Sequence, residues 1–318
     1  MKILITGGAG YIGAWMVPQL LADGHEIIVY DTQWFGSGHL PSNDRCKIMK
    51  ADVRDLDTFL GACEGQDAVI HLASISSDEM CRRNEQLAKS VNVDCFPDNV
   101  AIAQFQGVKR FIYASSVAAY GSACEALETQ PLKPTTIYGQ GKAACEEVLL
   151  KHQEEEFIPV VLRSASVCGY SPHQRFDLTI NKMAHDAIRS GQITVNGGQQ
   201  KRCHIHMKDI VDVYRLLLAA PAAMIAGQVF NAVAENLTVR GAARLVADTV
   251  GGVDVEVKPR SDDRSYTVDG TKFMRMFGWK PKLGVIDAAH DLKIRLESGM
   301  WKDSATNPIY QNLASGIG

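Results

Sequence analysis

Residues 1–13 of the chain read MKILITGGAGYIG, and this stretch decides the fold. An apolar run from Lys2 to Thr6 predicts a β-strand, and four glycines follow it within seven residues. Because each glycine costs backbone entropy, this density indicates a tight turn that approaches another group closely. The residues after the turn predict a helix from about Tyr11 to Asp23. A helix N-terminus behind a glycine turn suits phosphate binding, since its free amides and its dipole attract an anion.

Short apolar runs alternate with amphipathic stretches along the chain. Strands are predicted at 26–30, 46–52, 67–74, 108–116, 158–167 and 227–233, and helices at 177–190, 207–220 and 237–250. Strands buried on both faces, with helices between them, specify a doubly wound parallel sheet, an α/β fold of the Rossmann type. The pattern loosens after Gly169, which predicts a smaller carboxyl-terminal lobe, and residues 304–318 predict a mobile tail.

The composition is that of an ordinary globular protein. The 318 residues are 46% hydrophobic, carry a net charge of -3 and contain no long basic block, which argues against a nucleic-acid partner. The eight cysteines form no Cys-x-x-Cys pair, so we expect reduced thiols in a cytoplasmic protein. A signal peptide pattern and an apolar run of about 18 residues are both missing from the sequence, so we expect neither export nor a membrane span.

Gly7, Gly10 and Gly13 form a G-x-x-G-x-x-G pattern between the first strand and the first helix. Such glycines let the backbone approach a pyrophosphate and let the helix pack on the strand. Asp31 ends the second strand, where a carboxylate can accept hydrogen bonds from an adenosine ribose and repel a 2′-phosphate, which favours NAD over NADP. The alternative is a plain strand–helix junction with a solvated Asp31. Asp52 ends the third strand and either reaches the adenine amino group or caps a helix.

Tyr138 and Lys142 stand four residues apart in a predicted helix, so their side chains share one face. An ammonium beside a phenol favours the phenolate, which brings the phenol towards acid–base use near neutral pH. Ser116 ends a parallel strand, at the sheet edge where such folds bind ligands, and can hydrogen-bond a sugar hydroxyl. The alternatives are a solvated helix face for Tyr138 and Lys142, and an ordinary polar strand end for Ser116.

Six motifs occur in a characteristic order: TGGAGYIG, ADVRD, VIHLAS, SSVAAYG, YGQGK and HIHMKDI. Together they resemble the extended short-chain dehydrogenase/reductases, in particular the NAD-dependent epimerase/dehydratase family that acts on nucleotide sugars. The resemblance covers nearly the whole chain to about residue 285. It implies that Ser116, Tyr138 and Lys142 are the catalytic residues and that NAD is the cofactor. The residues that it places on NAD, with Gly7, Gly10 and Gly13, are Tyr11, Ile12, Asp31, Asp52, Val53, Leu72, Ala73, Ser74, Asn92, Tyr138 and Lys142.

The resemblance also assigns the second half of the chain to the substrate. It makes Arg175, Asn181, Arg202 and Arg264, with Ser116, the candidate ligands of a nucleoside-diphosphate sugar, since guanidinium groups bind phosphates well. We expect residues 1–172, joined by about 203–235, to form the NAD-binding domain, and about 173–202 with 236–318 to form the substrate lobe. A homodimer through the helices at about 84–106 and 138–156 is also implied.

His204 and His206 alternate along a predicted strand and therefore share a face. The segment offers no further ligand on that face, because Cys203 lies on the opposite one. A metal site is therefore not expected.

The sequence departs from the family at two places that concern the reaction. Val117 and Ala118 follow Ser116 where the family's dehydratases carry an Asp-Glu pair, which disfavours elimination of water. Ser166 stands where many members have asparagine. We therefore expect an epimerase that acts through a 4-keto sugar, in carbohydrate biosynthesis. The alternatives are a 4-dehydrogenase or 4-ketoreductase, then a dehydratase, and lastly a non-catalytic NAD-binding sensor.

Overall fold

The computed structural model describes residues 1–259 and 265–311, which form an α/β fold built on three sheets. The strands are β1 (Lys2–Thr6), β2 (Glu26–Asp31), β3 (Cys46–Lys50), β4 (Ala68–His71), β5 (Arg110–Ser116), β6 (Ile158–Ser164), β7 (Ser166–Cys168), β8 (Gln192–Asn196), β9 (Lys201–His206), β10 (Gln228–Ala232), β11 (Glu235–Thr238) and β12 (Asp254–Lys258).

The helices lie between the strands and after the last of them. They are α1 (Tyr11–Ala22), α2 (Leu56–Cys63), α3 (Asp78–Arg83), α4 (Glu85–Lys89), α5 (Phe96–Phe105), α6 (Ile137–Lys151), α7 (Thr179–Ser190), α8 (Met207–Ala219), α9 (Ala222–Ile225), α10 (Val239–Val250), α11 (Thr271–Phe277) and α12 (Val285–Glu297). A π-helical turn spans Ser90–Asp94, and 3₁₀ turns span Val117–Tyr120 and Pro308–Gln311.

The largest sheet has seven parallel strands in the order β10-β6-β5-β4-β1-β2-β3. The chain runs outward from β1 to β3 on one side and from β4 to β6 on the other. The strand order therefore reverses between β1 and β4, and a crevice opens at the carboxyl ends of these two strands. This confirms the predicted doubly wound fold.

The central strand β1 is buried on both faces. Ile3 and Ile5 pack into the core on one side of the sheet, with α1 and α8. Leu4 packs into the core on the other side, with α2, α5 and α6. Continuous apolar strands with helices on both faces are what a parallel sheet requires, because its crossovers cover both faces.

The carboxyl-terminal half forms two small sheets, in the orders β11-β9-β7 and β12-β8. Helices α7, α10 and α12 enclose a separate apolar core beside them. Strand β12 was not predicted, although its sequence DVEVK alternates between polar and apolar residues; it is short and lies mostly at the surface. The domain boundaries expected at residue 172 and at about 203–235 stay a prediction.

One expectation about a chain segment was wrong. The strand expected at 158–167 is two strands, because the backbone at Ala165 bonds to Ala232 and β7 then leaves the large sheet to pair with β9. In the tail that begins at 304, Ser304 is fully buried and Pro308–Gln311 form a 3₁₀ turn, and the mobility of the tail stays a prediction. Residues 312–318 lie outside the described part of the chain.

A buried polar network joins β5, α6 and β6 behind the sheet edge. The guanidinium of Arg163 on β6 donates to both carboxylate oxygens of Glu146 on α6. Its Nε lies 3.1 Å from Oε1 and 3.0 Å from Oε2, and its Nη2 lies 2.6 Å from Oε2. The hydroxyl of Ser115 on β5 donates to the same carboxylate. Arg163 also donates to the Tyr120 phenol at 2.8 Å, and that phenol donates to Asn231 on β10 at 2.8 Å. These hydrogen bonds hold β5, β6 and α6 together, and these elements carry residues of the candidate site.

The eight cysteines all lie within the described ranges and all are free thiols. In residues 1–259 and 265–311, no helix combines the length and the apolar character needed to cross a bilayer.

Candidate active site

The glycine turn joins the carboxyl end of β1 to α1 at the strand-order reversal. Gly7 has φ +68°, and a Cβ on it would lie 2.7 Å from the backbone nitrogen of Ala73, so a side chain here is excluded. Helix α1 begins after Gly10 with no side-chain cap and no acidic residue in its first turn. Its first amides therefore face the crevice without a protein carboxylate, an arrangement that fits a pyrophosphate.

Asp31 lies at the end of β2, beside this turn. Its carboxylate accepts hydrogen bonds from the backbone amides of Ala9 at 3.0 Å and Gln33 at 2.7 Å. Burial raises the pKa of Asp31, and the two amide bonds oppose the rise. Each oxygen keeps a further lone pair for an external donor, because an ionised carboxylate has about four acceptor sites. Asp31 therefore braces the glycine turn and can also accept from a ribose hydroxyl.

Asp52 lines the same cavity but is engaged by a neighbour. Arg54 donates to both of its carboxylate oxygens, at 3.0 and 2.7 Å. Burial alone would raise the pKa of Asp52, but the hydrogen bonds and the charge of Arg54 outweigh burial and lower that pKa. The alternative of a helix cap is wrong, since Asp55 caps α2 by accepting from the Thr58 amide at 3.1 Å.

One cavity of about 390 Å³ runs from the glycine turn to the ends of β5 and β6. The predicted site residues that line it are Gly7, Gly10, Tyr11, Ile12, Gly13, Asp31, Asp52, Val53, Leu72, Ala73, Ser74, Ser116, Tyr138 and Arg175. The structure thus brings the predicted cofactor residues and the predicted catalytic serine and tyrosine to one space. Four of the predicted residues do not line the cavity and lie behind or beside its wall: Asn92, Lys142, Asn181 and Arg202.

Ser116, Tyr138 and Lys142 come together at one end of this cavity. The Ser116 oxygen accepts from the Ala118 amide at 3.2 Å. Ser116 lies near enough to the Tyr138 phenol for its hydroxyl to lower the pKa of that phenol. Helix α6 begins at Ile137, capped by Thr136, so Tyr138 lies in its first turn. The Lys142 ammonium donates to the Ala114 carbonyl at 2.7 Å and lies 5.5 Å from the centre of the Tyr138 ring.

The electrostatics of this group differ from the expectation drawn from the sequence. Burial raises the pKa of Tyr138 to about 12, and the largest opposing influence is the charge of Arg175, with the Ser116 hydroxyl also lowering it. Burial also lowers the pKa of Lys142 to about 8. Among the protein's own groups, desolvation of the phenol therefore outweighs its cationic neighbours.

Asn92 was expected at the cofactor but holds the cavity wall from behind. It lies in the π-helical turn, a distortion often found at functional sites. Its side-chain oxygen accepts from the Ile75 amide at 2.8 Å and from the Ser74 hydroxyl at 3.2 Å. Its side-chain nitrogen donates to the Ile75 carbonyl at 3.1 Å. Asn92 therefore shapes the segment that follows β4.

Arg175 and Asn181 lie on the loop and helix that follow β7. Arg175 reaches the cavity and donates to Asp177 Oδ1 at 2.9 Å and to the Ser76 hydroxyl at 2.7 Å. Asn181 is fully buried, and its side chain bonds the Gly169 amide, the Arg175 carbonyl and the Tyr11 hydroxyl, each at 2.9 Å. The expectation that Asn181 contacts substrate is wrong, because its polar atoms are engaged in tying this loop to the glycine turn.

Arg202 is the remaining substrate candidate within the described residues. Arg202 stacks over the ring of Tyr266, which lines the cavity, with 4.9 Å from the guanidinium carbon to the ring centre. Arg264 lies outside the described residues. His204 and His206 are both buried, and burial lowers the pKa of each to about 4. No cluster of three metal-binding side chains occurs in the described ranges.

Several residues of the cavity wall were not predicted from the sequence. Trp34 and Phe35 come three and four residues after Asp31, and His173 packs between Phe35 and His39, with 5.5 Å between ring centres in each pair. Two adjacent aromatic residues this close to a strand end are a signal that was available in the stretch DTQWFG. The position of His173 was not predictable, since it depends on how the loop after β7 folds back.

The glycine turn, Asp31 and the long cavity define a dinucleotide-binding enzyme of the Rossmann class. The model of the NAD dependent epimerase/dehydratase family matches residues 3–232. A UDP-glucose 4-epimerase of Lactobacillus helveticus is 28% identical, covering 90% of this chain and 94% of that protein. A dTDP-D-glucose 4,6-dehydratase of Mus musculus is 27% identical, covering 89% of this chain and 84% of that protein.

Solved structures give the same result. The UDP-glucose 4-epimerase of Thermotoga maritima with UDP-glucose has a TM-score of 0.84 at 25% identity, covering 94% of this chain and 100% of that one. The dTDP-glucose 4,6-dehydratase of Streptomyces venezuelae with NAD bound also has a TM-score of 0.84, at 26% identity, covering 95% and 98% of the two chains. The chain belongs to the NAD-dependent epimerase/dehydratase family of extended short-chain dehydrogenase/reductases, and NAD is its cofactor.

Replacing Asp31 by Asn tests the cofactor end of the site. The amide keeps one acceptor but loses the charge, so we expect NAD to bind about tenfold more weakly, the scale of a lost hydrogen bond to a charged group. The preference for NAD over NADP should narrow as well. Fluorescence titration with both dinucleotides measures this, with the exposed Asp57→Asn as control. Tighter binding of NADP than of NAD by the parent protein would contradict the assignment.

Proposed function

We propose that the protein is a nucleotide-sugar 4-epimerase that acts through a 4-keto intermediate. The observation that carries this proposal is the meeting of Ser116 and Tyr138 at one end of the cavity, with the Lys142 ammonium 5.5 Å from the centre of the Tyr138 ring. The similarity to UDP-glucose 4-epimerases supports the same reaction.

Tyr138 carries the proton in this proposal. NAD held by the residues of the glycine turn would supply the oxidising power, as acceptor of the C4 hydride and as its donor to the opposite face of the 4-keto sugar, which gives the epimer. The Tyr138 oxygen removes the proton of the 4-hydroxyl and gives it back in the second half of the reaction. Ser116 donates to the sugar oxygen or to the phenolate, and so holds the sugar at the phenol. Lys142, tied to the Ala114 carbonyl, keeps its charge beside the Tyr138 ring.

The outer end of the cavity would hold the nucleoside diphosphate. Arg175 lines this space, and its guanidinium donates hydrogen bonds to Ser76 and Asp177. Tyr266 lines the same cavity, and the Arg202 guanidinium stacks on its ring. We propose that these arginines, with Arg264, bind the pyrophosphate, since a guanidinium binds two phosphate oxygens in a fixed geometry.

The residues after Ser116 favour epimerisation over dehydration. Elimination of water needs an acid and a base at the sugar, and Val117 and Ala118 supply neither. Both residues line the cavity, at the place where the 3₁₀ turn begins. A dehydratase is the second candidate, because dTDP-glucose 4,6-dehydratases are equally similar in structure, and Asp78 supplies a carboxylate at the same cavity. Release of the keto sugar would instead make the protein a 4-dehydrogenase.

We also propose a homodimer through the surface of α4, α5 and α6. The side chain of Phe105 at the end of α5 is 83% exposed, more than any other large apolar residue in the described ranges. Light scattering at micromolar concentration should give about twice the chain mass of 34.7 kDa. A mass of one chain would contradict the dimer.

Replacing Tyr138 by Phe tests the mechanism. The change keeps the ring and its packing but removes the ionisable oxygen, so we expect turnover to fall by roughly 10²-fold or more while NAD binding is retained. Lys142→Met should lower turnover and also weaken NAD binding, since Lys142 is expected to contact the cofactor ribose. Turnover is measured by nuclear magnetic resonance of the product sugar, after a screen of UDP-, GDP-, CDP- and dTDP-hexoses.

Lys151→Met is the matched control, because Lys151 lies on the same helix and forms only an exposed ion pair with Glu147. Its turnover should equal that of the parent. A folded, NAD-bound Tyr138→Phe variant as fast as the parent would refute the mechanism. A parent that converts none of these sugars would refute the function.

A further inference from the structure

The residues that follow α12 pack against the back of the loop that carries Arg175. Residues 301–311 are here called the carboxyl-terminal segment, and residues 169–178 the substrate loop. Trp301 is buried, with its ring 5.3 Å from that of Phe176 and 5.9 Å from that of Tyr170, centre to centre. The carbonyl of Tyr310 accepts from the Phe176 amide at 2.6 Å. The segment thus holds the substrate loop by both rings and backbone.

The segment is itself anchored on α7. Ser304 is fully buried, and its hydroxyl lies 3.0 Å from His185 Nε2. Arg189 donates to the Trp301 carbonyl at 2.7 Å. These contacts fix Trp301 and Tyr310 relative to the helix that follows the substrate loop.

Phe176 lies between Arg175 and the carboxylate that binds the Arg175 guanidinium. Arg175 precedes it and reaches the cavity, and Asp177 follows it and binds the Arg175 guanidinium. A shift of Phe176 would therefore displace Arg175 together with its partner. The guanidinium is 8% exposed, so it has little freedom to compensate by reorienting in solvent.

The first half of the substrate loop contacts Trp301 through Tyr170, but it is also held by hydrogen bonds to the glycine turn. The Tyr11 hydroxyl donates to the Gly169 carbonyl at 2.7 Å, and the Ser171 hydroxyl donates to the Tyr11 carbonyl at 2.6 Å. Neither bond involves the carboxyl-terminal segment. Loosening of that segment should therefore affect Arg175 more than the glycine turn.

We propose that the carboxyl-terminal segment is a positioning element for Arg175, acting through the Trp301–Phe176 and Tyr310–Phe176 contacts, so that it controls binding of the nucleotide sugar and not of NAD. The proposal rests on the proposed function, in which Arg175 binds the pyrophosphate. Trp301 and Tyr310 touch neither ligand in this account.

Trp301→Ala tests the proposal, with the adjacent and exposed Met300→Ala as control. We expect KM for the nucleotide sugar to rise about tenfold or more, the scale of a lost hydrogen bond to a charged group, while the Kd for NAD stays within about twofold. Trp301→Phe keeps an aromatic ring against Phe176 and should restore KM to within about threefold of the parent. Met300→Ala should change neither constant.

A double-mutant cycle separates positioning from general loss of stability. In an Arg175→Ala background, Trp301→Ala should change KM by less than about twofold, because the group through which it acts is gone. Additive effects, or an equal loss of NAD binding, would overturn the proposal. If Trp301→Ala fails to fold, Tyr310→Ala removes a half-buried ring whose centre lies 6.0 Å from that of Phe176. It should give the same pattern with a smaller rise in KM, and an unchanged KM would overturn the proposal.

Hydrogen exchange gives a readout that does not depend on the reaction. Amides of residues 175–178 should exchange faster in Trp301→Ala than in the parent, and those of the glycine turn should not. Unchanged exchange at 175–178 would overturn the positioning role even where the parent is active. If the parent converts no nucleotide sugar, the proposed function fails, and faster exchange at 175–178 would still support the structural part of the inference.

Discussion

The buried ion pair between Arg163 and Glu146 is the interaction on which the geometry of the site depends. Glu146 lies one helical turn after Lys142 on α6, and it binds Arg163 of β6 and Ser115 of β5. It therefore fixes the helix that carries Tyr138 against the strand that ends in Ser116. Removal of one member of a buried pair costs about 3–5 kcal/mol, because an unpaired charge is left inside. The Glu146 carboxylate thus fixes how far the Tyr138 side chain lies from the Ser116 side chain.

Burial gives the site its chemical character. The phenol of Tyr138 is shielded so well that its pKa rises to about 12, and the charge of Arg175 is the largest influence that lowers it. Arg175 comes from the substrate loop, which follows the sheet in sequence and is tied to the glycine turn through Tyr11 and Asn181. The glycine turn and Arg175 are therefore linked by hydrogen bonds, and the charge of Arg175 acts on Tyr138.

Local signals in the sequence predicted most of the fold and most of the residues that meet in the cavity. The glycine turn, Asp31 and the Tyr138–Lys142 spacing are short motifs whose geometry follows from a few neighbouring residues. The role of Asn181 and the packing of Trp301 were not predictable in this way, because both depend on contacts between segments far apart in the chain. The pKa of Tyr138 was misjudged for the same reason, since burial is a property of the folded protein.

Transfer of a label at C4 tests the central claim most directly. The accepted nucleotide sugar is prepared with deuterium at C4 and converted in ordinary water, and the product is analysed by nuclear magnetic resonance and mass spectrometry. The account predicts both C4 epimers, each with its deuterium still at C4 and with no water lost, because hydride leaves and returns at one carbon while Tyr138 moves only the hydroxyl proton. Deuterium released to solvent, or a product lacking one oxygen, would contradict it.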